Sequence, residues 1–139
     1  MSSTLAIIKP DAVEAGNTGK ILMHLEDAGF MIRAIRMTRL KSEQAGSFYA
    51  VHSERTFFES LVTYMTSGPV VALVLETEDA VTKLREVIGA TDPSEAEEGT
   101  IRRLFAHSKE RNAIHGSDSP ENAEVETAFF FPKYDRSAL

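Results

Sequence analysis

The stretch Val70-Val71-Ala72-Leu73-Val74-Leu75 decides the fold of this chain, because it is apolar throughout and β-branched in part. A short, continuous apolar run of this kind is typical of a strand that is buried on both faces. Gly68-Pro69 stands directly before the run and interrupts the preceding pattern. A second run, Leu5-Ala6-Ile7-Ile8, ends at Lys9-Pro10 and predicts another buried strand, since proline rarely continues a central strand.

Around these two runs, the spacing of apolar residues predicts several helices and a further strand. Residues 18–28 have apolar side chains at helical spacing, and Gly29 closes that helix. Residues 30–40 alternate between apolar and basic side chains, which predicts a strand with one solvated face. Residues 89–99 form a polar segment that we expect to be a long loop. The remaining helices are predicted at residues 42–52, 56–66, 78–88, 100–105 and 119–129.

This order of elements, with a short fourth strand before the last helix, predicts an α/β fold class. We expect an α+β sandwich of the ferredoxin-like βαββαβ type, with an antiparallel sheet and helices on its faces. A chain of 139 residues is long enough for one core and too short for two. Residues 1–139 are therefore predicted to form a single domain.

The composition excludes several classes of protein and site. The chain contains no cysteine, which excludes disulfides, thiolate zinc sites and cysteine nucleophiles. Its net charge of −6 argues against an extended nucleic-acid surface, so we predict no nucleic-acid partner. No apolar run is long enough to span a bilayer, and the first residues do not resemble a secretory signal. We therefore predict a cytoplasmic protein with no membrane partner.

The segment Asn112–Pro120 has the residues best suited to covalent chemistry. Ser119 and Pro120 predict the N-cap and first residue of a helix, and a helix N-terminus favours an anion such as phosphate. Gly116 would let such an anion approach the main chain. A neutral imidazole nitrogen of His115 that faces a phosphate would be a nucleophile. Taken alone, a histidine before a helix is more often a surface or packing residue.

Six motifs in a consistent order cover almost the whole chain and resemble one family. They are Ile7–Val13, Phe48–His52, Ser67–Val70, Gly89–Pro93, Gly99–Arg102 and Asn112–Asp118. Together they resemble the nucleoside diphosphate kinase family. The resemblance implies transfer of the terminal phosphate of a nucleoside triphosphate to a nucleoside diphosphate, by a ping-pong mechanism through a phosphohistidine.

The resemblance also implies roles for individual residues. His115 matches the nucleophile, Glu126 matches the acid that orients its imidazole, and Ser117 matches a hydroxyl close to the histidine. The residues that match phosphate-holding positions are Lys9, which is also counted as catalytic, Tyr49, Arg85, Thr91 and Arg102. The positions that match the nucleoside contacts are Phe57 and Leu61 for the base and Asn112 for the ribose. Charge that develops on a transferred phosphoryl group needs fixed positive groups, and the arginine fork binds phosphate oxygens bidentately.

From the residues alone, most of these positions keep an ordinary alternative. Arg85 could pair with a surface acid, Thr91 could only form a turn, and Glu126 could be solvated. The spacing also does not decide whether Phe57 or Phe58 is the exposed aromatic residue. The other histidines lack a second ligand at metal spacing and are interpreted as surface or packing residues; they are His24, His52 and His107.

Magnesium is expected as the cofactor, carried by the nucleotide. Mg²⁺ usually keeps several waters and binds substrate phosphates with few protein ligands. Asp118 is the acid placed for a contact through water. Three residues depart from the family pattern: Arg103, Leu104 and Lys109. The first two affect the expected packing of the local loop, and Lys109 affects one side of the pocket expected for the base.

The resemblance implies a homo-oligomer built from dimers, with a tetramer or a hexamer expected. Two apolar stretches support it, at Phe30–Ile32 on a predicted edge strand and at Phe129–Phe131 near the tail. The tail after Pro132 is shorter than in the longer members of the family. Two alternative functions stay open, a ferredoxin-like regulatory domain that binds small molecules without turnover and a scaffold homologue that has lost turnover.

Overall fold

The predicted central strand lies inside a four-stranded antiparallel sheet in the computed structural model, which describes residues 1–134. The strands are β1 (Ser2–Ile8), β2 (Met31–Thr38), β3 (Val70–Thr77) and β4 (Ile114–Gly116). Their order across the sheet is β2-β3-β1-β4, and each neighbouring pair is antiparallel. Every residue of β3 is buried, as its apolar sequence predicts. The ferredoxin-like fold predicted from the sequence is confirmed.

Seven α-helices and one short 3₁₀ helix connect and flank these strands within the described residues. The helices are α1 (Pro10–Glu14), α2 (Thr18–Asp27), α3 (Ser42–Phe48), α4 (Phe58–Met65), α5 (Ala80–Ile88), α6 (Ile101–Phe105) and α7 (Pro120–Phe130). The helix predicted at 42–52 is divided, because α3 ends before Tyr49 and Ala50–His52 is the 3₁₀ helix. No helix among residues 1–134 is long and apolar enough to cross a membrane.

The alternation of side chains along β1 builds a core on each face of the sheet. Ala6 and Ile8 belong to one buried cluster, which α2 and α5 cover, while Leu5 and Ile7 belong to the other. Residues of α3, α4 and α7 cover that second face. Successive residues of a strand point to opposite faces, so a strand that is apolar throughout needs helices on both.

The edge strand β2 agrees only partly with its predicted pattern. Of the stretch Phe30–Ile32, expected to be exposed, Phe30 is buried and Met31 is 47% exposed, while Ile35 and Met37 farther along are 54% and 59% exposed. The register with β3 shifts between Ile32 and Ala34, and such an irregularity changes which residues face the core. The outer edge of the sheet therefore carries apolar side chains that no described residue covers.

The aromatic stretch Phe129–Phe131 does not form an exposed patch, and that expectation is wrong. Phe130 is 2% exposed, and Phe129 and Phe131 pack against the second core cluster. The end of α7 packs these three rings against β1, and they shield this face of the sheet from water. The unpatterned tail predicted after Pro132 runs into residues 135–139, which lie outside the described residues.

Candidate active site

A short strand places His115 at the edge of the sheet, opposite Ile7 of β1. Its Nε2 atom lies 2.8 Å from Oε1 of Glu126 on α7. A carboxylate only accepts hydrogen bonds, so Nε2 carries the proton in this pair and the neutral ring keeps its lone pair on Nδ1. Ser117 donates to the same Glu126 oxygen over 2.6 Å and is fully buried. Ser117 therefore acts on Glu126, and it lines neither cavity of the site.

Aromatic rings restrict the orientation of the imidazole further. Phe48 lies edge-on to the His115 ring at 5.6 Å between centroids, and Tyr49 does so at 6.5 Å. The Tyr49 hydroxyl is buried and has no hydrogen-bond partner among residues 1–134. Burial, and secondly the charge of Glu126, raise the pKa of Tyr49 above its usual range. The hydroxyl consequently stays protonated and is free to donate to a bound anion.

Beside His115 a cleft of about 540 Å³ is lined by groups suited to a nucleoside. Phe57 is 48% exposed while Phe58 packs against the core, so Phe57 is the ring available for stacking. Leu61, one turn along α4, lines the same cleft. The complete lining is Lys9, Tyr49, His52, Phe57, Leu61, Thr91, Lys109, Glu110, Asn112 and His115.

A second cavity of about 460 Å³ contains the two arginines and adjoins the first, because Thr91 lines both. Arg102 donates from Nη2 to the Ile114 carbonyl over 2.9 Å and from Nη1 to the Gly89 carbonyl over 3.1 Å. Its Nε is buried and has no partner among the described residues. Burial, followed by the neighbouring charge of Arg85, lowers the pKa of Arg102 to about 10.

Lys9 completes a group of three cations around the two cavities. It follows the last residue of β1 and is 8% exposed. Burial and the nearby Arg102 lower the pKa of Lys9 to about 8, against the opposing charges of Asp11 and Glu110. Within residues 1–134, none of Lys9, Arg85 and Arg102 forms an ion pair. Like charges held together without partners favour the binding of an anion.

Two glycines bring the backbone around the arginines into close contact. At Gly89, with φ of +92°, an added Cβ would lie 2.6 Å from Oγ1 of Thr100. At Gly116, an added Cβ would lie 2.7 Å from Cδ1 of Ile88. Gly116 thus packs closely against α5, and it also lines the cavity of the two arginines, where the approach of an anion stays a prediction.

Asn112 projects a free amide oxygen into the nucleoside cleft. Its Nδ2 donates to the Lys109 carbonyl over 3.0 Å and lies 3.5 Å from the Thr91 carbonyl. Its Oδ1 is buried with no partner among the described residues. These bonds orient the amide, so that Oδ1 is available to accept from a ligand hydroxyl.

Asp118 lies outside both cavities and is exposed to solvent. It accepts a hydrogen bond of 2.6 Å from Nδ2 of Asn122 on the first turn of α7. Residues 1–134 contain no group of three acidic or histidine side chains that could hold a metal ion. The water-mediated contact between Asp118 and magnesium stays a prediction.

The structure adds two cleft residues that the sequence did not single out, His52 and Glu110. It also shows a contact of Arg103, one of the three residues that depart from the family pattern. The ring of His52 packs against Phe57 at 5.6 Å, and Glu110 lies on the opposite wall. The proximity of His52 to Tyr49, three residues earlier, was the available signal. Arg103 donates from Nη1 to the Ser94 carbonyl over 3.3 Å, which ties the long loop to α6.

Comparison with known proteins gives one family throughout. A family model described as nucleoside diphosphate kinase matches residues 2–136. A Campylobacter hominis protein named nucleoside diphosphate kinase is 59% identical over 131 residues, which are 94% of this chain and 96% of that protein. A structure of the Aquifex aeolicus nucleoside diphosphate kinase has a TM-score of 0.92 at 53% identity and covers 94% of each chain. A structure of the Encephalitozoon cuniculi enzyme has a TM-score of 0.90 at 38% identity, with 94% of this chain and 88% of that chain covered.

Proposed function

The chain belongs to the nucleoside diphosphate kinase family, and on that premise we propose phosphate transfer from a nucleoside triphosphate to a nucleoside diphosphate through phosphorylated His115. One observation carries the proposal. The Glu126 carboxylate holds Nε2 of His115, which leaves Nδ1 as the proposed nucleophile in the cleft that Lys9 lines, next to the cavity of Arg85 and Arg102.

In the first half of the reaction, the Nδ1 lone pair attacks the terminal phosphorus. An N–P bond forms, the bond from phosphorus to the bridging oxygen breaks, and its electron pair leaves with the nucleoside diphosphate. The Nε2 proton stays on the ring, where Glu126 compensates the positive charge that develops. In the second half, a terminal phosphate oxygen of the acceptor attacks the same phosphorus and restores the free histidine.

The three cations and the Tyr49 hydroxyl would stabilise the negative charge of the transferred phosphoryl group. The transferred group carries its charge on equatorial oxygens, so preorganised positive groups lower the barrier more than they strengthen ground-state binding. Arg102 is held by two backbone carbonyls, and Tyr49 is held protonated by burial. Neither group has to reorganise when the phosphate arrives.

The nucleoside would lie in the cleft between Phe57 and Asn112. Stacking on an exposed ring is tolerant of the base, since every base has a π-face, and is worth roughly 1–3 kcal/mol per base. The free Oδ1 of Asn112 and the ammonium of Lys9 suit the ribose hydroxyls. We expect low base selectivity together with a strong requirement for the sugar hydroxyls.

Magnesium fits this site when it is bound to the nucleotide, and the protein alone would not hold it. The two cavities contain both cations and glutamates, and residues 1–134 contain no group of three acidic or histidine side chains that could hold a metal ion, so phosphate oxygens would have to supply ligands. Phosphate oxygens would supply most of its ligands, with Asp118 in contact through water. When bound, the ion would neutralise phosphate charge.

The proposed oligomer is a set of dimers joined at the exposed edge of β2. Met31, Ile35 and Met37 are between 47% and 59% exposed along this strand. An uncovered strand edge with apolar side chains favours pairing with another copy. We retain the tetramer or hexamer built from such dimers as the expected assembly.

Incubation with ATP labelled at the terminal phosphate, in the absence of an acceptor, tests the proposal directly. We expect one acid-labile phosphate per chain, lost on addition of any nucleoside diphosphate with formation of the triphosphate. A protein that binds ATP with no such label would be a regulatory binding domain instead.

A further inference from the structure

Ala113 adopts a backbone conformation that is unfavourable for any residue with a side chain. Its φ is +72°, in the left-handed region, and it is fully buried between Asn112 and Ile114. Such a conformation is strained, and it persists only where the surroundings hold it in place. The conformation of Ala113 therefore depends on its neighbours. Of the two flanking residues, Asn112 lines the nucleoside cleft and Ile114 begins β4, the strand that contains His115.

Two residues after β1 hold both backbone groups of Ala113. The Lys9 N–H donates to the Ala113 carbonyl over 2.8 Å, and the Ala113 N–H donates to Oδ2 of Asp11 over 3.2 Å. The other Asp11 oxygen, Oδ1, accepts a hydrogen bond from the Tyr64 hydroxyl. The Asp11 N–H in turn donates to the Tyr64 oxygen over 3.2 Å. Tyr64 thus holds both the carboxylate and the backbone of Asp11.

The Tyr64 side chain is suited to a fixed donor role. It is 6% exposed, and burial, followed by its hydrogen bond to Asp11, raises its pKa above the usual range. The hydroxyl keeps its proton at every ordinary pH and continues to donate to the carboxylate. The contact thus joins α4 to the backbone at Ala113 through a single half-buried residue, Asp11.

The same helix is joined to the opposite wall of the cleft at two further points. Ser60 Oγ donates to Oε1 of Glu110 over 2.6 Å, and the Arg111 guanidinium lies over the Tyr64 ring at 5.5 Å. Helix α4 carries Leu61 on one side of the cleft, while residues 109–112 form the other side. The relative position of the two walls depends on these contacts.

We propose that Tyr64 and Asp11 are positioning residues for phosphate transfer, which hold Ala113 in its left-handed conformation and thereby place Asn112 and His115 against Lys9. This inference rests on the function proposed above. Neither side chain lines the two cavities, so both act through the backbone of residues 112–115. Reacting groups must be held closely, and a small displacement lowers the rate even when the ligand still binds.

Tyr64→Phe is the primary test, because it removes only the hydroxyl and leaves the charge near Lys9 unchanged. We expect kcat to fall and KM to rise, with a loss in kcat/KM of roughly 10- to 100-fold. Thr66→Val is the matched control, since the Thr66 hydroxyl bonds only within its own helix. That variant should keep wild-type kcat and KM.

Rescue separates positioning from a general loss of stability. Glycine adopts a φ of +72° without strain, so Ala113→Gly should restore most of the rate lost in Tyr64→Phe. Asp11→Asn, measured in parallel, replaces one acceptor oxygen by a donor and should show a similar defect. In both single variants the Ala113 amide should exchange with deuterium faster than in the wild type.

A Tyr64→Phe enzyme with wild-type kcat and KM would overturn the inference, and so would a defect that Ala113→Gly leaves unchanged. Slower exchange or unchanged exchange at Ala113 in both variants would also overturn it. A wild-type protein that transfers no phosphate would overturn the proposed function, and this inference with it.

Discussion

In the proposed mechanism, the hydrogen bond between His115 and Glu126 decides which ring nitrogen reacts. Glu126 holds Nε2 at 2.8 Å, and Ser117 holds the carboxylate in turn. Phe48 and Tyr49 close the sides of the ring. The imidazole therefore keeps one tautomer and one orientation, which is what a nucleophile needs and a solvent-exposed histidine lacks.

His115→Gln should abolish transfer while nucleotide binding persists. The change removes the proposed nucleophile, and loss of a nucleophile costs several orders of magnitude in rate. Steady-state assays and calorimetric titration with a nucleoside diphosphate measure the two properties separately. His107→Gln is a suitable control, because that histidine is exposed and lines neither cavity. Near-normal turnover in His115→Gln would refute the assignment.

The affinity for nucleoside diphosphate should fall as the pH rises above about 8, the pKa of Lys9. A bound phosphate favours the charged ammonium and raises that pKa, so binding takes up a proton in this range. One linked proton corresponds to a loss of about tenfold in affinity per pH unit. Titration calorimetry between pH 7 and pH 9.5 measures the slope.

Lys9→Met is the control for this slope, since the variant has no ammonium to titrate. It should bind more weakly at pH 7 and show a nearly constant affinity up to pH 9. An equal slope in the variant and the wild type would assign the proton to another group.

The junction between α5 and the long loop shows how elements set the position of the arginines. Gly89 follows Ile88 at the end of α5, and its carbonyl accepts from Arg102 at the other end of the loop. The close contact with Thr100 brings these two ends together. Backbone geometry at one residue thus fixes a charged side chain thirteen positions away.

Gly89→Ala should destabilise the fold and weaken transfer together. The added Cβ would meet Thr100 at 2.6 Å, in addition to the strain of a φ of +92°. Strain and overpacking of this kind each cost about 1–3 kcal/mol. Denaturant unfolding and the rate of phosphohistidine formation measure the two effects.

Gly16→Ala isolates the strain alone, because φ is +76° there and an added Cβ would meet nothing within 4 Å. It should cost about 1–2 kcal/mol by its backbone conformation and leave the rate unchanged. Equal destabilisation in the two variants would show that the contact with Thr100 relaxes freely.

At the scale of the whole molecule, uncovered apolar side chains lie along one edge of the sheet described for residues 1–134. Both faces of the sheet are packed by helices, and the opposite edge strand, β4, is only three residues long. The β2 edge is longer and carries exposed Met31, Ile35 and Met37. Assembly is therefore expected to begin at this edge.

Ile35→Glu should convert the assembly to monomers or to smaller oligomers. A charge directed into an apolar interface loses its hydration without gaining a partner. Val125→Glu, on exposed α7, is the matched control and should leave the assembly intact if the interface is confined to β2. Sedimentation velocity at micromolar concentration compares both with the wild type. A monomeric wild type would contradict the proposed oligomer.

Local patterns in the sequence predicted much of the fold. The runs at 5–8 and 70–75 predict buried strands, and Ser119 caps the last helix as the sequence indicates. Proline, glycine and the periodicity of apolar residues are local signals, so their effect on the backbone does not depend on distant parts of the chain. The family motifs likewise identified several residues that line the two cavities, among them Lys9, Tyr49, Arg102 and Asn112, because the order of short motifs survives in the sequence itself.

Tertiary structure alone decided the properties that depend on distant residues. It chose Phe57 over Phe58 as the exposed ring, packed Phe129–Phe131 against the core, and placed Gly116 in close contact with Ile88. It also joined Tyr64 to Asp11, 53 residues apart, and placed Ala113 in a conformation that alanine rarely adopts. Burial and long-range hydrogen bonds arise only when separated segments meet, so no pattern within one segment predicts them.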